Sequence, residues 1–211
     1  LRLTVTYGEN PPRIELDCGR HLLWSGTWEF ELRCDDQPVV IEDEWEAQCW
    51  QADEECDFLE LAVKLSHGLR LERHLLLGKT DKVLYLADYV LGDQSEHEFD
   101  YRMQVPLAPE IEFLPEVDTR DGVLQGTKCL AAIFPLALPE WRIDSHMGEL
   151  VAVDGKLTLT HRVKARNFCC PLLVDLKPRR IAKARTWRQL TVAESLKVQN
   201  KDVAVAFRAQ S

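Results

Sequence analysis

Residues 58–91 read FLELAVKLSHGLRLERHLLLGKTDKVLYLADYVL. Leu59, Leu61, Val63 and Leu65 alternate with Glu60, Ala62 and Lys64. Leu69, Leu71, Leu75 and Leu77 alternate with Arg70, Glu72, His74 and Leu76. This period of two marks strands with one face in a core. Breaks at His67-Gly68 and at Gly78-Lys79-Thr80-Asp81 divide the stretch into three antiparallel strands. A two-residue first turn would set Val63 against Glu72 and mix the faces. A three-residue loop, Ser66-His67-Gly68 with a left-handed glycine, sets Val63 against Leu71 and keeps the leucines together, because register follows the buried face. The second turn then puts Arg73 opposite Leu86 and His74 opposite Tyr85. One face carries the leucines with Arg73 and Asp88, diagonal to each other. The other carries Glu60, Lys64, Arg70, Glu72, His74, Tyr85 and Tyr89.

The remaining chain follows the same pattern. Residues 1–7, 13–18, 27–34, 45–51, 99–105 and 128–134 read as strands, separated by turns rich in Pro, Gly and Asp such as residues 25–26 and 35–38. Residues 149–153 and 156–163 flank Asp154-Gly155, a pair suited to the type I′ turn of a tight hairpin. Further strands are read at 168–176, 189–193, 195–199 and 203–209. Residues 182–190 suit a short helix or a strand equally, and no longer segment has helical periodicity. With about fifteen short strands, the fold class is all-β, a multistranded antiparallel β-sandwich with little or no helix. Residues 1–211 read as one sandwich domain. It begins at Leu1 and ends inside a strand, and is therefore expected to be excised from a longer protein.

Charge is divided unevenly. Residues 1–126 hold 28 Asp and Glu against 11 Lys and Arg, a net −17, whereas residues 127–211 are +8. The two regions either neutralise each other by packing or leave a basic surface for an anionic ligand. No apolar run approaches a membrane span. Seven cysteines make an odd count with no C-x-x-C pair, which argues against zinc ribbons and redox motifs and favours a reducing compartment such as the cytoplasm.

No nucleotide-binding loop, H-E-x-x-H, G-x-S-x-G or dinucleotide fingerprint is present. Candidate sites come from patterned faces instead. Arg73 and Asp88 are charges on a leucine face and should pair, as a buried structural pair or as a dyad at the sandwich rim. His74 and Tyr85, on adjacent strands with Arg70 nearby, suit proton abstraction next to a carboxylate that the arginine neutralises; an ordinary polar sheet face has the same pattern. Trp24, Trp45 and Trp50 suit platforms for sugar rings or core positions, and Trp28 is in phase with core residues. The cluster Lys177, Arg179, Arg180, Lys183, Arg185 and Arg188 suits carboxylates or sulfates. Nucleic acid is not expected as a partner, nor is any cofactor or metal. His146 and His161 stand alone.

The strand LRLERHLLL bearing Arg73, a short turn, and KVLYLADYV bearing Asp88 resemble the β-sandwich part of heparinase II/III-type polysaccharide lyases. The resemblance implies a layered, galactose-mutarotase-like sandwich that acts on uronic-acid or sulfated glycans, standing behind an α-helical domain in the parent protein. It further implies β-elimination by the parent, an anionic polysaccharide as partner, and a periplasmic or secreted location. No helical toroid and no His-x-His element occur here, so the chain by itself is expected to bind rather than to turn over. Arg70 and the basic segment would neutralise carboxylates, and His74 or Tyr85 would move protons. The alternatives are a structural or protein-interaction sandwich and a mutarotase-like epimerase.

Overall fold

Alternation becomes strand throughout the computed structural model, which describes residues 1–210. The first part contains β1 (Arg2–Thr6), β2 (Arg13–Cys18), β3 (His21–Thr27), β4 (Glu29–Cys34), β5 (Gln37–Pro38) and β6 (Glu46–Ala52). The leucine-rich stretch gives β7 (Cys56–Lys64), β8 (Arg70–Gly78) and β9 (Val83–Leu91). Then follow β10 (His97–Pro106), β11 (Glu112–Pro115), β12 (Gly122–Gln125), β13 (Cys129–Pro135), β14 (Leu150–Val153), β15 (Lys156–Ala165) and β16 (Phe168–Asp175). A helical turn, α1 (Pro178–Ile181), precedes β17 (Thr186–Leu190), β18 (Ala193–Glu194), β19 (Lys197–Val198) and β20 (Ala206–Gln210). The fold is an all-β antiparallel sandwich.

The largest sheet has the order β11-β12-β13-β16-β9-β8-β7-β6. Facing it is β14-β15-β10-β4-β5, extended by the sheet β1-β2-β3. The chain crosses between the two layers after β5, β9, β10, β13 and β15, so their inner faces build one continuous core. Leu61, Leu71, Leu75, Leu84, Leu86 and Val90 lie in it, as the alternation requires. A smaller core sits on the outer face of the large sheet. There Trp187 and Ile181 pack on Phe134 and Leu136, with Tyr85, Leu173 and Phe207 at its margin. The C-terminal elements thus cover half of that outer face and leave the β7-β8-β9 half uncovered. Among the described residues no helix is long and apolar enough to cross a membrane.

The β7–β8 register sets Val63 against Leu71, with Gly68 at φ +71° and His67 also left-handed. The β8–β9 register is two residues away from the sequence reading. Lys82 is left-handed, so the loop spans residues 79–82 and pairs Gly78 with Val83. A shift of two preserves the faces. It also places Arg73 directly opposite Asp88 and His74 opposite Ala87, where the sequence reading had Leu86 and Tyr85.

The Asp154-Gly155 hairpin forms with both residues at positive φ. Residues 25–26 are not a turn. Strand β3 continues through Gly26, where a Cβ would sit 3.0 Å from Cγ of Pro106. The helical turn precedes residue 182, because Pro178 has the fixed φ of a first helical position. Strand β17 then begins at Thr186 and buries Trp187.

Candidate functional site

The uncovered half of the large sheet carries a row of half-buried polar and aromatic side chains. His74 from β8 lies with its ring 4.4 Å from that of Tyr89 on β9 and edge-on to Phe58 of β7 at 5.5 Å. Nε2 of His74 is 3.9 Å from a carboxylate oxygen of Glu60 and makes no hydrogen bond among the described residues. Desolvation pushes the imidazole below its ordinary value, against the opposing pull of Glu60, Glu72 and Asp88. At neutral pH the ring is therefore a neutral base. Glu60, Glu72 and His74 bring three potential ligand atoms within 4.8 Å of one another, so this cluster suits a proton relay or a divalent cation.

Tyr85 stands at the other end of the row. Its hydroxyl is 3.1 Å from that of Tyr89 and 3.9 Å from Sγ of Cys169 on β16. Burial raises both phenols far above their ordinary range and pushes the Cys169 thiol up to about 12. Both phenols therefore keep their protons at physiological pH. The shifted register makes Tyr89, not Tyr85, the ring in contact with His74. Arg70 is half-buried and donates from Nε to Glu72 at 2.9 Å, so its charge is already partly answered.

Arg73 and Asp88 lie inside the sandwich with both side chains 0% exposed, which removes them from any substrate. The guanidinium donates to the two Asp88 oxygens at 2.8 and 2.7 Å and to the Trp28 carbonyl at 3.1 Å. Its Cζ lies 3.7 Å from the centre of the Trp28 ring and 4.9 Å from that of Trp45. The Tyr101 hydroxyl, from the opposite layer, donates to Asp88.

Trp24 and Trp45 are not sugar platforms. Trp24 is 0% exposed beside the equally buried Leu23, where the β2–β3 register shifts, and Trp45 is 5% exposed, facing Arg73 and edge-on to Phe30. The exposed indoles are Trp50 and Trp141. The basic segment is split likewise. Arg180 makes a two-pronged pair with Asp175, and Arg185 binds Asp121 and Glu116 while its own side chain is only 9% exposed. Arg185 thus holds the C-terminal elements onto the acidic part of the chain, and Arg180 is committed to Asp175 and to the Asp81 carbonyl, so neither guanidinium is free for a ligand. Lys177 is partly exposed near Asp81, and Arg179 is exposed. The sequence reading missed a further pair: Arg188 of β17 lies opposite Arg208 of β20, both exposed and neither in an ion pair among the described residues. The signal was available in the in/out phase that the buried Trp187 fixes, but the β17–β20 pairing was not.

No protein-family model matches the chain, and no curated protein matches it in sequence. Among solved structures, a mutant of the heparan sulfate lyase HepC from Pedobacter heparinus superposes with a TM-score of 0.50 at 14% identity, over 76% of this chain and 26% of that one. HepC itself gives 0.48 at 13% identity, over 76% and 25%. A heparinase III with methylated lysines gives 0.43 at 12%, over 85% and 29%. The likeness is one of fold. This chain spans about a quarter of the length of those lyases.

Proposed function

We propose that the chain is the polysaccharide-binding sandwich of a heparinase-like lyase that acts on uronic-acid or sulfated glycans. The observation that carries this reading is the opposed pair Arg188 and Arg208. Like charges directly across a strand pair repel. An anionic group lying over both would remove that cost and accept charge-assisted hydrogen bonds from two guanidinium forks. Arg179 and Lys183 extend the exposed cations along the same C-terminal elements. The sandwich likeness to a heparan sulfate lyase fits this ligand class, and the remaining three quarters of such a protein leaves room for an α-helical domain.

Within a complete enzyme, the His74 row would supply the proton transfers of β-elimination. Neutral His74 would take the proton from the carbon bearing the carboxylate. The bond to the glycosidic oxygen would then break with its electron pair, and that oxygen would take a proton from Tyr89, with Tyr85 behind it. A cation supplied beside the carboxylate would stabilise the intermediate charge. Calorimetry with heparin and a neutral glucan at low and high salt tests the binding step. Heparin should bind, more weakly as salt rises, and Arg188→Ser with Arg208→Ser should weaken it. No heparin binding at low salt, or unchanged affinity in the double variant, would refute the assignment.

A second reading, a protein-interaction sandwich, is favoured by Trp50. This indole is 64% exposed beside a groove lined by Leu3, Val5, Tyr7, Leu59 and Leu75. Contiguous apolar surface of this kind marks contact sites. A stable complex lost on Trp50→Ser, without glycan binding, would favour it.

A further inference from the structure

Cys34 ends β4 and is the cross-strand partner of Phe99 on β10; both side chains enter the core. His97 stands two residues before Phe99 on β10 and so projects from the same face, at the rim of the sandwich. It is partly buried, and its ring lies 6.0 Å from that of Phe99. Asp35 and Asp36 form the two-residue turn into β5, which pairs Cys34 with Gln37. Both are left-handed, at φ 49° and 62°, as a type I′ turn requires. The turn lays Asp35 over the start of β10. Its amide donates to the Glu98 carbonyl and its Oδ1 accepts from the Glu98 amide, each at 2.9 Å. Oδ2 is left facing Nδ1 of His97 at 2.7 Å.

A thiol, an imidazole nitrogen and a carboxylate oxygen thus lie within 4.8 Å of one another. Sulfur, nitrogen and oxygen together make a zinc-type donor set. Two further observations point to a cation. Cys34 is only 7% exposed, and its Sγ makes no hydrogen bond among the described residues. Asp93 lies on the other side of His97, with Oδ1 3.5 Å from Nε2. A metal-ligating histidine usually donates its second ring N–H to a carboxylate, which fixes the tautomer. Asp93 occupies that position when Nδ1 faces the ion. Against the ion stands Lys164, which acts on Asp35 but lies opposite Glu98 on the outer face of the sheet.

We propose that Cys34 Sγ, Asp35 Oδ2 and His97 Nδ1 bind a zinc ion at this end of the sandwich, with Asp93 orienting the imidazole and water in the fourth position. Zinc bonds of about 2.0–2.3 Å in a tetrahedron set ligand atoms about 3.3–3.8 Å apart, so side-chain rotations close the trio without moving the strands. Burial, with Asp35 and Asp93, raises the metal-free thiol, so uptake of the ion must release the Cys34 proton. The Nδ1 proton shared with Asp35 leaves as well, and the neutral ring keeps its proton on Nε2, toward Asp93. Thiolate and carboxylate then balance the two charges of the ion. The assignment does not depend on glycan binding.

Cobalt(II) tests it, because a thiolate ligand gives a near-ultraviolet charge-transfer band that nitrogen and oxygen ligands alone do not. The intact chain, stripped with EDTA and kept reduced with a phosphine, should develop that band with one equivalent of Co²⁺ and lose it when Zn²⁺ is added. Cys34→Ser should abolish the band. His97→Gln, at a partly exposed position that keeps the test open if Cys34→Ser disturbs the core, should weaken binding more than about 100-fold. Asp93→Asn should weaken it by about 10–100-fold, the scale of a lost outer partner. His74→Gln, in the separate Glu60, Glu72 and His74 cluster, should change nothing. No band in the wild type, an undiminished band in Cys34→Ser or His97→Gln, or loss of the band in His74→Gln would overturn the proposal. Unchanged affinity in Asp93→Asn would overturn the orienting role of Asp93.

Discussion

Arg73 and Asp88 stand directly opposite each other on β8 and β9, both sealed from solvent and joined by two hydrogen bonds. Because Trp28 and Tyr101 complete the network from the facing layer, the pair ties the two layers together. Removing one member leaves the other charge buried without its counterpart. Asp88→Ala should therefore cost about 3–5 kcal/mol in urea unfolding. Replacing both by apolar residues should cost less, limited to about 1–3 kcal/mol for each neutral group left unpaired. Equal losses in the single and double variants would show that the charge is not what makes the site sensitive.

His97 gives stability a pH dependence of opposite sign at two ends. Its Nδ1 is 2.7 Å from an oxygen of Asp35, and its Nε2 is 3.5 Å from one of Asp93. The Asp35 hydrogen bond, with help from Asp93, raises the imidazole above 6.5. A raised folded value means the contribution is full below 6.5 and is lost as pH climbs through the folded value. The same bond, first among several causes, holds Asp35 below 3.8, so its share is lost as pH falls through that lower value. Wild type should exceed His97→Gln in urea midpoint at about pH 5.5, and the gap should close by about pH 8.5. Both carboxylates are exposed and His97 is only partly buried, so added salt should narrow the gap. A gap that widens with pH would contradict the assigned sign.

The faces of residues 58–91 were legible because alternation fixes which side chains enter a core whatever the loop lengths. The partner of each residue was less so. A loop of two residues and one of four leave the leucines equally buried, so only the left-handed Lys82 reveals that Arg73 meets Asp88 head-on. Tryptophan was harder still. A large indole beside a loop suits a platform or a core equally by pattern, and Trp45 became core because a buried guanidinium needed an aromatic face. His161 looked isolated because alternation alone does not show that it enters the core beside Phe168 of the next strand.

Tyr85 and Tyr89 should remain protonated where ordinary phenols ionise. Their hydroxyls share a hydrogen bond within a half-buried row, and burial disfavours both phenolates. Absorbance titration of the native protein to about pH 11, beyond the usual tyrosine value, should give the same change for wild type and for Tyr85→Phe with Tyr89→Phe. A smaller change in the double variant would show that these phenols ionise in the ordinary range and that burial does not hold their protons.

Arg185 and Arg179 should separate structure from binding within the basic segment. Arg185 reaches back to Asp121, whose side chain is 3% exposed, and to Glu116 and the Ile181 carbonyl. It also fixes the position from which Trp187 enters the smaller core. Arg185→Ser strands Asp121 in a dry site and should destabilise by about 3–5 kcal/mol, with the smaller core loosening first. Arg179 is exposed on the helical turn, and Arg179→Ser should change stability by less than about 0.5 kcal/mol. Heparin affinity should respond in the reverse order when measured on folded protein, falling for Arg179→Ser and changing little for Arg185→Ser in the fraction that remains native. Urea unfolding followed by Trp fluorescence, alongside calorimetry below the unfolding transition, measures both. If Arg185→Ser leaves stability intact, the pairing with Asp121 does not hold the C-terminal elements, and the +8 region meets the acidic sheet by some other contact.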